Sequence, residues 1–550
     1  MCADGSKQEQ GIDFEYSYSP TAGAAAVRAL LAIAASYSWL LSAMDVTNCF
    51  QSTIIPEEEL LTIHAPPNYL QWFKHKYPTV KIPASKSDKY VLRILNGIQG
   101  DKSIGRKWYL LLKKLLENFG FKCCPTEPSV FVYEQNDVYF ILNTSTDDFL
   151  CAHSTQQIYD DLCEYFKKFF SMTFETKVNK FKYLNLRIIS TEHGVSYDQT
   201  EHIEHKIIKK YFPDWKVAES GLKAVHTPFR TDSQYEIDLL EQLPLQGKDL
   251  KEAEKKYGGS FASILGDIMH VWVWSRLDIG YATTRLSQYT HAPNAAAFAG
   301  LYRILRYLAT HPHRPIFYPR RPLTDVHELR FEYDAPTFES ITLPNGLLEM
   351  VDSDHARDNA TRRSCHCVLA LLCGVAIHWK MQQQKCIAIH STDSEIRGAF
   401  AATKEGQNLQ NMFMFLPVPN AICRPLPIYC DSQPAIDSIN ANTVTSRVKH
   451  VAIPIMYMHE HVKDGTISLH KINTKLNLAD SGTKPNSAPV HFDHFDQAIG
   501  VRFYPPINSE HYNLLNLDTF KVSPYTRTQT KQPASKDDLI CSGSTQDNTS

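Results

Sequence analysis

A multidomain chain of the α+β and α/β classes is what the sequence predicts, and three observations predict it. Its 550 residues exceed what a single hydrophobic core serves. From residue 11 to about 212, apolar runs of strand length alternate with stretches of helical period. From 348 to about 485, strands come first and then alternate with helices, which implies a mixed sheet with helices on its faces.

Composition narrows the function classes. With 43% hydrophobic and 11% aromatic residues the chain is globular rather than disordered. A formal charge of -2 and a pI near 6.9 do not mark the whole chain as a polyanion binder, although overall charge says little about one basic groove. The 13 cysteines lack the spacing of a disulfide framework. Cys365-His366-Cys367 has no second ligand pair at zinc spacing, so reduced thiols in an intracellular compartment are expected. Residues 1–10 are polar and hold no signal core. The longest apolar stretch, 29–44, contains Ser36 and Ser38 and falls short of the roughly 20 residues a bilayer requires. It reads as a buried helix running into a strand. No membrane role is expected, and the location is cytoplasmic, nuclear or both.

In chain order, residues 108–119 (WYLLLKKLLENF) carry apolar positions at helical spacing. Residues 138–142 (VYFIL) read as a strand, 143–148 (NTSTDD) as a turn and 149–152 (FLCA) as a second strand: a hairpin with two acids at its tip. Between 213 and 345 the pattern is helical at 248–256, 261–275 and 297–310, with Pro-rich segments at 312–322 and 336–344 expected as linkers. Strands are expected to 351, at 367–372, 375–379, 386–390, 426–430 and 467–472, with Gly374 turning the second into the third. A helix begins at Ser391-Thr392-Asp393-Ser394-Glu395, with Ser391 and Ser394 as candidate caps. After about 522 the chain is polar and expected to be disordered.

Two acidic constellations carry chemistry. Joining nucleotides requires a 3′ hydroxyl to attack a phosphate while pyrophosphate leaves, and two ions about 4 Å apart stabilise both oxygens. Magnesium prefers oxygen ligands, so a few carboxylates on rigid strands suffice. Asp147 and Asp148 at the hairpin tip form such a pair, with Asp45, after the 29–44 run, as the natural third acid. An Asp-Asp pair alone is common in turns. The surrounding text makes it specific: Gly11-Ile12-Asp13-Phe14, Ser19-Pro20, Arg28, Asp45-Val46-Thr47-Asn48-Cys49-Phe50, Leu95-Asn96-Gly97-Ile98-Gln99-Gly100, Arg106-Lys107-Trp108-Tyr109, Gly120-Phe121 and Pro128-Ser129-Val130-Phe131. In order and spacing these resemble the reverse transcriptases of Ty1/copia-class retrotransposon polyproteins. The likeness continues through Arg276-Leu277-Asp278-Ile279, Ser287-Gln288-Tyr289 and Leu305-Arg306-Tyr307-Leu308 and runs from 11 to about 485.

The resemblance implies a reverse transcriptase of partial fingers and palm at 11–212, a thumb- or connection-like helical region at 213–345, a ribonuclease H-like domain at 346–488 and a C-terminal extension at 489–550. It implies that Asp45, Asp147 and Asp148, assisted by the Val46 carbonyl, hold two Mg²⁺ (or Mn²⁺) ions. Phe50 stands where such polymerases place an aromatic gate against a ribose 2′ hydroxyl, Gln99 near the incoming nucleotide, and Lys102 and Arg106 near phosphate. For the nuclease it implies Asp352 from a first strand, Glu395 from the first helix, Asp431 at the end of the fourth strand and Asp480 from a late helix. Arg362-Arg363-Ser364, Cys430-Asp431-Ser432-Gln433-Pro434-Ala435-Ile436, Lys449-His450 and Thr483-Lys484-Pro485 match as well. Asp354 shares a strand face with Asp352 and is the alternative first ligand. The implied partners are an RNA template, a DNA primer, an RNA–DNA hybrid and deoxynucleoside triphosphates.

Three features depart from the family pattern. Ser145 occupies the place of an aromatic residue two positions before the paired aspartates, and His355-Ala356-Arg357 replaces Trp-Ala-Gly. The chain also starts just before residue 11, where the family has an upstream fingers segment that clamps the triphosphate, so an N-terminally truncated chain is expected. A catalytically degenerate remnant is the alternative reading. Asp480-Ser481-Gly482 also spells an aspartic-protease triplet, but it follows a helical Leu-Asn-Leu-Ala rather than a strand.

Overall fold

The computed structural model describes residues 4–56, 62–65, 68–82, 91–175, 179–212, 223–331, 339–441, 443–505 and 508–515. Internal contacts divide the chain into residues 1–184 with 410–419 and residues 185–409 with 420–550.

In the first unit, α1 (Ala24–Ser36) is rich in alanine and leucine and buried on nearly every side, so it is an interior helix. It leads into β1 (Leu40–Val46), the helix-to-strand passage expected of the 29–44 run. A small antiparallel pair, β2 (Thr62–His64) and β3 (Val91–Arg93), and the helix α2 (Tyr69–Lys76) precede α3 (Ile104–Phe119). The strands β4 (Lys122–Cys123), β5 (Val130–Gln135), β6 (Val138–Ser145) and β7 (Asp148–His153) follow, then α4 (Gln156–Phe166), β8 (Met172–Glu175) and β9 (Lys180–Tyr183). The main sheet has the order β4-β5-β6-β7-β1-β8. Trp108, Leu112 and Leu116 of α3 and Tyr159, Leu162 and Phe166 of α4 join Met44, Phe140, Leu142 and Phe149 of the sheet in one core cluster. Successive side chains on a strand alternate, so Asp45 and Asp148 have the opposite parity to that core.

The second unit begins with β10 (Leu186–Thr191) and β11 (Gly194–Asp198), followed by a helical stretch in which α5 (Thr200–His202) and α6 (Lys209–Tyr211) flank a π turn. Helices α7 (Ser233–Glu241), α8 (Gly247–Tyr257), α9 (Phe261–Trp274), α10 (Gly280–Ser287) and α11 (Ala295–Thr310) follow, of which α8, α9 and α11 answer the helical patterns at 248–256, 261–275 and 297–310. Asp232, Ser260 and Asn294 cap α7, α9 and α11 by accepting from a first-turn N–H. The Pro-rich segments are not linkers. β12 (Ile316–Pro319) is fully buried and pairs with β11, while β13 (Val326–Phe331) pairs with β14 (Glu339–Pro344). Pro319 and Pro344 sit at the ends of edge strands, where a missing N–H costs little. Pro336 lies outside the described residues.

A mixed sheet follows: β15 (Leu348–Ser353), β16 (Cys365–Leu372), β17 (Val375–Gln383), α12 (Ser391–Phe415), β18 (Leu426–Cys430), α13 (Gln433–Asn440), α14 (Ala452–Lys463), β19 (Ile467–Lys471), α15 (Ala488–Ala498) and α16 (Glu510–Leu515). Its order is β17-β16-β15-β18-β19, antiparallel through the first three strands and parallel from β15 to β19. Cys373 and Gly374, both at positive φ, make the two-residue turn between β16 and β17. Residues 386–390 form no strand. They are the entry to α12, where the expected serine caps are replaced by a reciprocal pair: the Asp393 N–H donates to His390 Nδ1, and the Asp393 carboxylate accepts from the Ile389 N–H. Arg276 and Asp278 belong to a buried ion network with Tyr307, Arg314 and Asp496, which accounts for those motif residues structurally. The tail expected to be disordered lies outside the described residues. Among the described residues, no helix is long and apolar enough to cross a membrane.

Small residues let α12 lie close to the sheet. A Cβ at Gly398 would stand 2.2 Å from Ser353 Oγ, and one at Gly406 would stand 2.5 Å from Leu426 Cδ2. Below Gly406 lies Glu349, fully buried, with no hydrogen-bond partner for either carboxyl oxygen among the described residues. Burial, then the neighbouring Glu405, raises its pKa well above 4.5. A raised carboxyl pKa means that stability present below the unfolded pKa is lost as pH rises toward the folded one, at about 1.4 kcal/mol per pH unit. Glu349→Met is therefore expected to raise the melting temperature at pH 7.5 and to lose that advantage near pH 4.5. Thermal melts of both proteins across that range check it.

Candidate functional site

The first cluster is assembled by strand register. Asp45 pairs directly with Asp148 across β1 and β7, and Ser145 with Asp148 across the hairpin. That leaves Thr146, at a φ of 58°, and Asp147 as a two-residue turn, tighter than the 143–148 turn expected. The turn is clamped from two sides: Trp108 Nε1 donates to the Thr146 carbonyl at 2.6 Å, and the Val46 N–H donates to the Asp147 carbonyl at 2.9 Å. Asp45 and Asp148 share a side-chain hydrogen bond. Burial, then the Asp147 charge, raises the Asp45 pKa, and burial with Asp147 and Asp45 pushes Asp148 up to about 6. Carboxyls held this close favour either a shared proton or a cation, and hard oxygen donors suit a divalent ion.

Phe50 lies in a 3-10 turn, Cys49–Ser52, half-buried against the core. Gly97 packs beneath it: its N–H donates to the Thr53 carbonyl at 2.7 Å, and a Cβ there would meet the Phe50 carbonyl at 2.3 Å. Asn96 Nδ2 donates to the Gln51 carbonyl, so the Leu95–Gly100 motif docks on the Phe50 turn with Gln99 exposed. Lys102 and Arg106 are engaged elsewhere. Lys102 Nζ donates to the Gln8 carbonyl at 2.9 Å and lies over the Phe14 ring, while Arg106 stacks on Tyr16 and reaches the Tyr18 carbonyl.

The second cluster follows from parallel pairing. Val351 on β15 is in register with Cys430 on β18, so the next residues, Asp352 and Asp431, emerge side by side at one sheet end. Glu395 enters from the first turns of α12, its Oε2 lying 3.9 Å from Cys430 Sγ. The ligand atoms of Glu395, Cys430 and Asp431 all lie within 4.8 Å of one another. Asp480 sits in a 3-10 turn, Leu478–Gly482, rather than a regular late helix. Burial, then Asp480, pushes Asp352 up to about 7, and burial, then Asp352 and Asp431, pushes Glu395 up to about 10. Burial also raises Asp480, opposed by Lys484. Asp352, Glu395 and Asp480 thus each feel others of the set, and Lys484 forms an ion pair with Asp480. The donor set fits a divalent cation.

Asp354 is occupied differently. Its Oδ1 accepts the Cys365 N–H at 3.0 Å, and its charged neighbours are Arg357 and Asp358 rather than the other acids. Arg357, standing in the place of the family's glycine, acts electrostatically on both Asp354 and Asp480. Residues not singled out as ligands by sequence also hold the cluster. Thr483 Oγ1 donates to Asp352 Oδ2, Thr474 Oγ1 donates to Asp431 Oδ2 at 2.7 Å, and Lys471 Nζ donates to the Asp431 carbonyl. Thr483 and Lys484 fall in a family motif; nothing in the local pattern marks Thr474.

A reverse transcriptase (RNA-dependent DNA polymerase) family model matches residues 1–214. The chain is 24% identical over 506 residues to the retrovirus-related Pol polyprotein from transposon RE1 of Arabidopsis thaliana, covering 92% of this chain and 30% of that protein. It is 25% identical over 508 residues to the corresponding RE2 polyprotein of the same plant, covering 92% and 31%. The chain thus spans about a third of the length of these curated relatives. A solved foamy viral protease-reverse transcriptase in complex with double-stranded DNA aligns with 85% of this chain and 60% of its own, at a TM-score of 0.41 and 10% identity, too loose a likeness to argue from. The family match places a reverse transcriptase domain in residues 1–214, and along nine-tenths of its length the chain is similar to copia-type Pol polyproteins of transposons.

Proposed function

We propose that the chain is an RNA-directed DNA polymerase joined to a nuclease for the RNA strand of RNA–DNA hybrids, each acting at a carboxylate centre for two Mg²⁺ or Mn²⁺ ions. One observation carries the reading: strand register sets Asp352 beside Asp431, the ligand atoms of Glu395 and Asp431 lie within 4.8 Å of each other, and Asp480 acts electrostatically on Asp352. Bound divalent ions would activate the attacking oxygen and neutralise charge on the phosphoryl oxygens. In the nuclease centre the protein's part is to hold the four acids in place, through Thr483 on Asp352 and Thr474 on Asp431. In the polymerase centre, Asp45, Asp147, Asp148 and the Val46 carbonyl would hold the ions. Phe50 would crowd a ribose 2′ hydroxyl and Gln99 would meet the incoming deoxynucleoside triphosphate. Lys102 and Arg106 would reach phosphate after releasing Gln8 and Tyr18. An RNA template and a DNA primer would be the partners of the polymerase centre, and an RNA–DNA hybrid the substrate of the nuclease centre within residues 346–488. Such chemistry, in transposition, is intracellular, in the cytoplasm, the nucleus or both.

A second reading, a nuclease beside a degenerate polymerase, is favoured by specific observations: Ser145 provides no ring beside the primer end, and the two cations meant for phosphate are engaged by residues 8–18. The test is primer extension on an RNA template beside cleavage of an RNA–DNA hybrid, each with Mg²⁺ and with Mn²⁺. The first reading expects both activities, and cleavage without extension selects the second. Neither activity with either ion overturns both.

A further inference from the structure

Asp480-Ser481-Gly482, the protease-like triplet, has a different job. Ser481 is 3% exposed, and its Oγ lies 2.8 Å from His494 Nδ1 on α15. The other ring nitrogen, Nε2, lies 3.0 Å from the carbonyl oxygen of Lys475. A carbonyl can only accept, so Nε2 bears the proton and Nδ1 accepts from the Ser481 hydroxyl. Asn486 Nδ2 donates to that same Ser481 oxygen at 2.6 Å. Every hydrogen bond therefore has a fixed direction, from Asn486 to Ser481 to His494 to Lys475. Burial keeps the ring neutral, pulling its pKa down to about 4 against the Lys475 bond, with Lys484 acting in the same sense as burial. The pair is no hydrolytic nucleophile, since the serine is buried and the second ring nitrogen faces a carbonyl rather than a carboxylate.

The chain of bonds joins two short turns, each of which bears a residue of the acid cluster or a residue that holds one. Lys475 belongs to the 3-10 turn Thr474–Leu476, whose Thr474 hydroxyl holds Asp431. Ser481 is next in sequence to Asp480, in the turn Leu478–Gly482. Between them Asn477 Nδ2 ties the segment to β15 by donating to the Val351 carbonyl at 2.9 Å. Turns of this kind have weak internal hydrogen bonds and need outside support to hold a side chain to a fraction of an ångström. We infer that His494 is a positioning residue for the second carboxylate centre: a neutral imidazole that fixes the turn bearing Thr474 relative to the turn bearing Asp480, and thereby the affinity of the centre for divalent cations. The inference rests on the metal-centre reading above.

The test uses the full chain with Asp148→Asn, which silences the first centre, and measures Mn²⁺ affinity by calorimetry and the Mg²⁺ dependence of hybrid cleavage. His494→Ala, folded by circular dichroism, is expected to bind Mn²⁺ about 10- to 100-fold more weakly, the range usual for groups that orient metal ligands. Its half-saturating Mg²⁺ should rise by a similar factor with KM for the hybrid unchanged. His494→Gln, which keeps an N–H toward Lys475, should recover part of the loss. Unchanged Mn²⁺ affinity in folded His494→Ala, or lower activity with no shift in metal dependence, overturns the inference. If His494→Ala does not fold, Asn486→Ala, which removes the donor to Ser481, must show the same direction of shift or the inference falls. A parent chain that binds no Mn²⁺, or binds it equally after Asp431→Asn, sinks the metal-centre reading itself.

Discussion

Asp431→Asn is expected to cut hybrid cleavage by about a thousandfold while leaving primer extension at the parent rate. The side chain keeps its size and can still accept from Thr474, so the sheet end should not move. What is lost is a negative charge next to Glu395 and Asp352. Ion-assisted phosphoryl chemistry is worth several kcal/mol, and each tenfold in rate corresponds to about 1.4 kcal/mol. Losing a ligand charge should therefore remove about three decades rather than a few per cent. Single-turnover cleavage of an end-labelled hybrid, run beside extension on the same preparation, reads both quantities. Equal cleavage by the variant and the parent would remove Asp431 from the centre.

Asp148→Asn should do the converse, reducing extension by a similar factor and leaving hybrid cleavage intact. It should also stabilise the metal-free protein at neutral pH. The Asp148 carboxyl is pushed up to about 6 by burial and by Asp147 and Asp45. Stability linked to such a raised carboxyl is complete below the unfolded value near 4 and is lost as pH rises through about 6. The asparagine escapes that loss. In EDTA its melting temperature should exceed that of the parent at pH 7.5 and approach it near pH 4, and added Mn²⁺ should narrow the gap at pH 7.5 by stabilising the parent. A variant that melts below the parent at pH 7.5 without metal would show that the three acids are not mutually strained.

Much of this arrangement was legible in the chain because the relevant signals are local. The Asp147–Asp148 hairpin was visible as two strand-length apolar runs with a turn between them. Asp352 lies near the end of β15 and Asp431 directly follows β18, two buried strands that short apolar runs mark. The errors came where local signals mislead. Pro319 and Pro344 suggested linkers, yet edge strands tolerate proline because the lost N–H pointed outward or lay at a strand end. The apolar run at 386–390 suggested a strand, but Ile387 and Ile389 are exposed and the segment serves to cap α12 through His390. Other features were not legible because they arise only from tertiary contact. No spacing rule indicates that Thr474 holds Asp431, 43 residues earlier, or that His494 bridges two turns. Nor does the sequence say that Lys102 and Arg106 are engaged by residues 8–18, since a basic helix face looks the same whether it meets phosphate, solvent or its own chain.

The central claim is that eight named groups, Asp45, Val46, Asp147 and Asp148 in one set and Asp352, Glu395, Asp431 and Asp480 in the other, bind divalent ions at two separate points. An anomalous difference map from crystals of the full chain grown with Mn²⁺ and an RNA–DNA hybrid tests this without relying on turnover. Density peaks within coordination distance of both sets, about 2.0–2.4 Å from carboxylate oxygens, are predicted. Manganese bound elsewhere, with both acid clusters empty at saturating metal, would contradict the account.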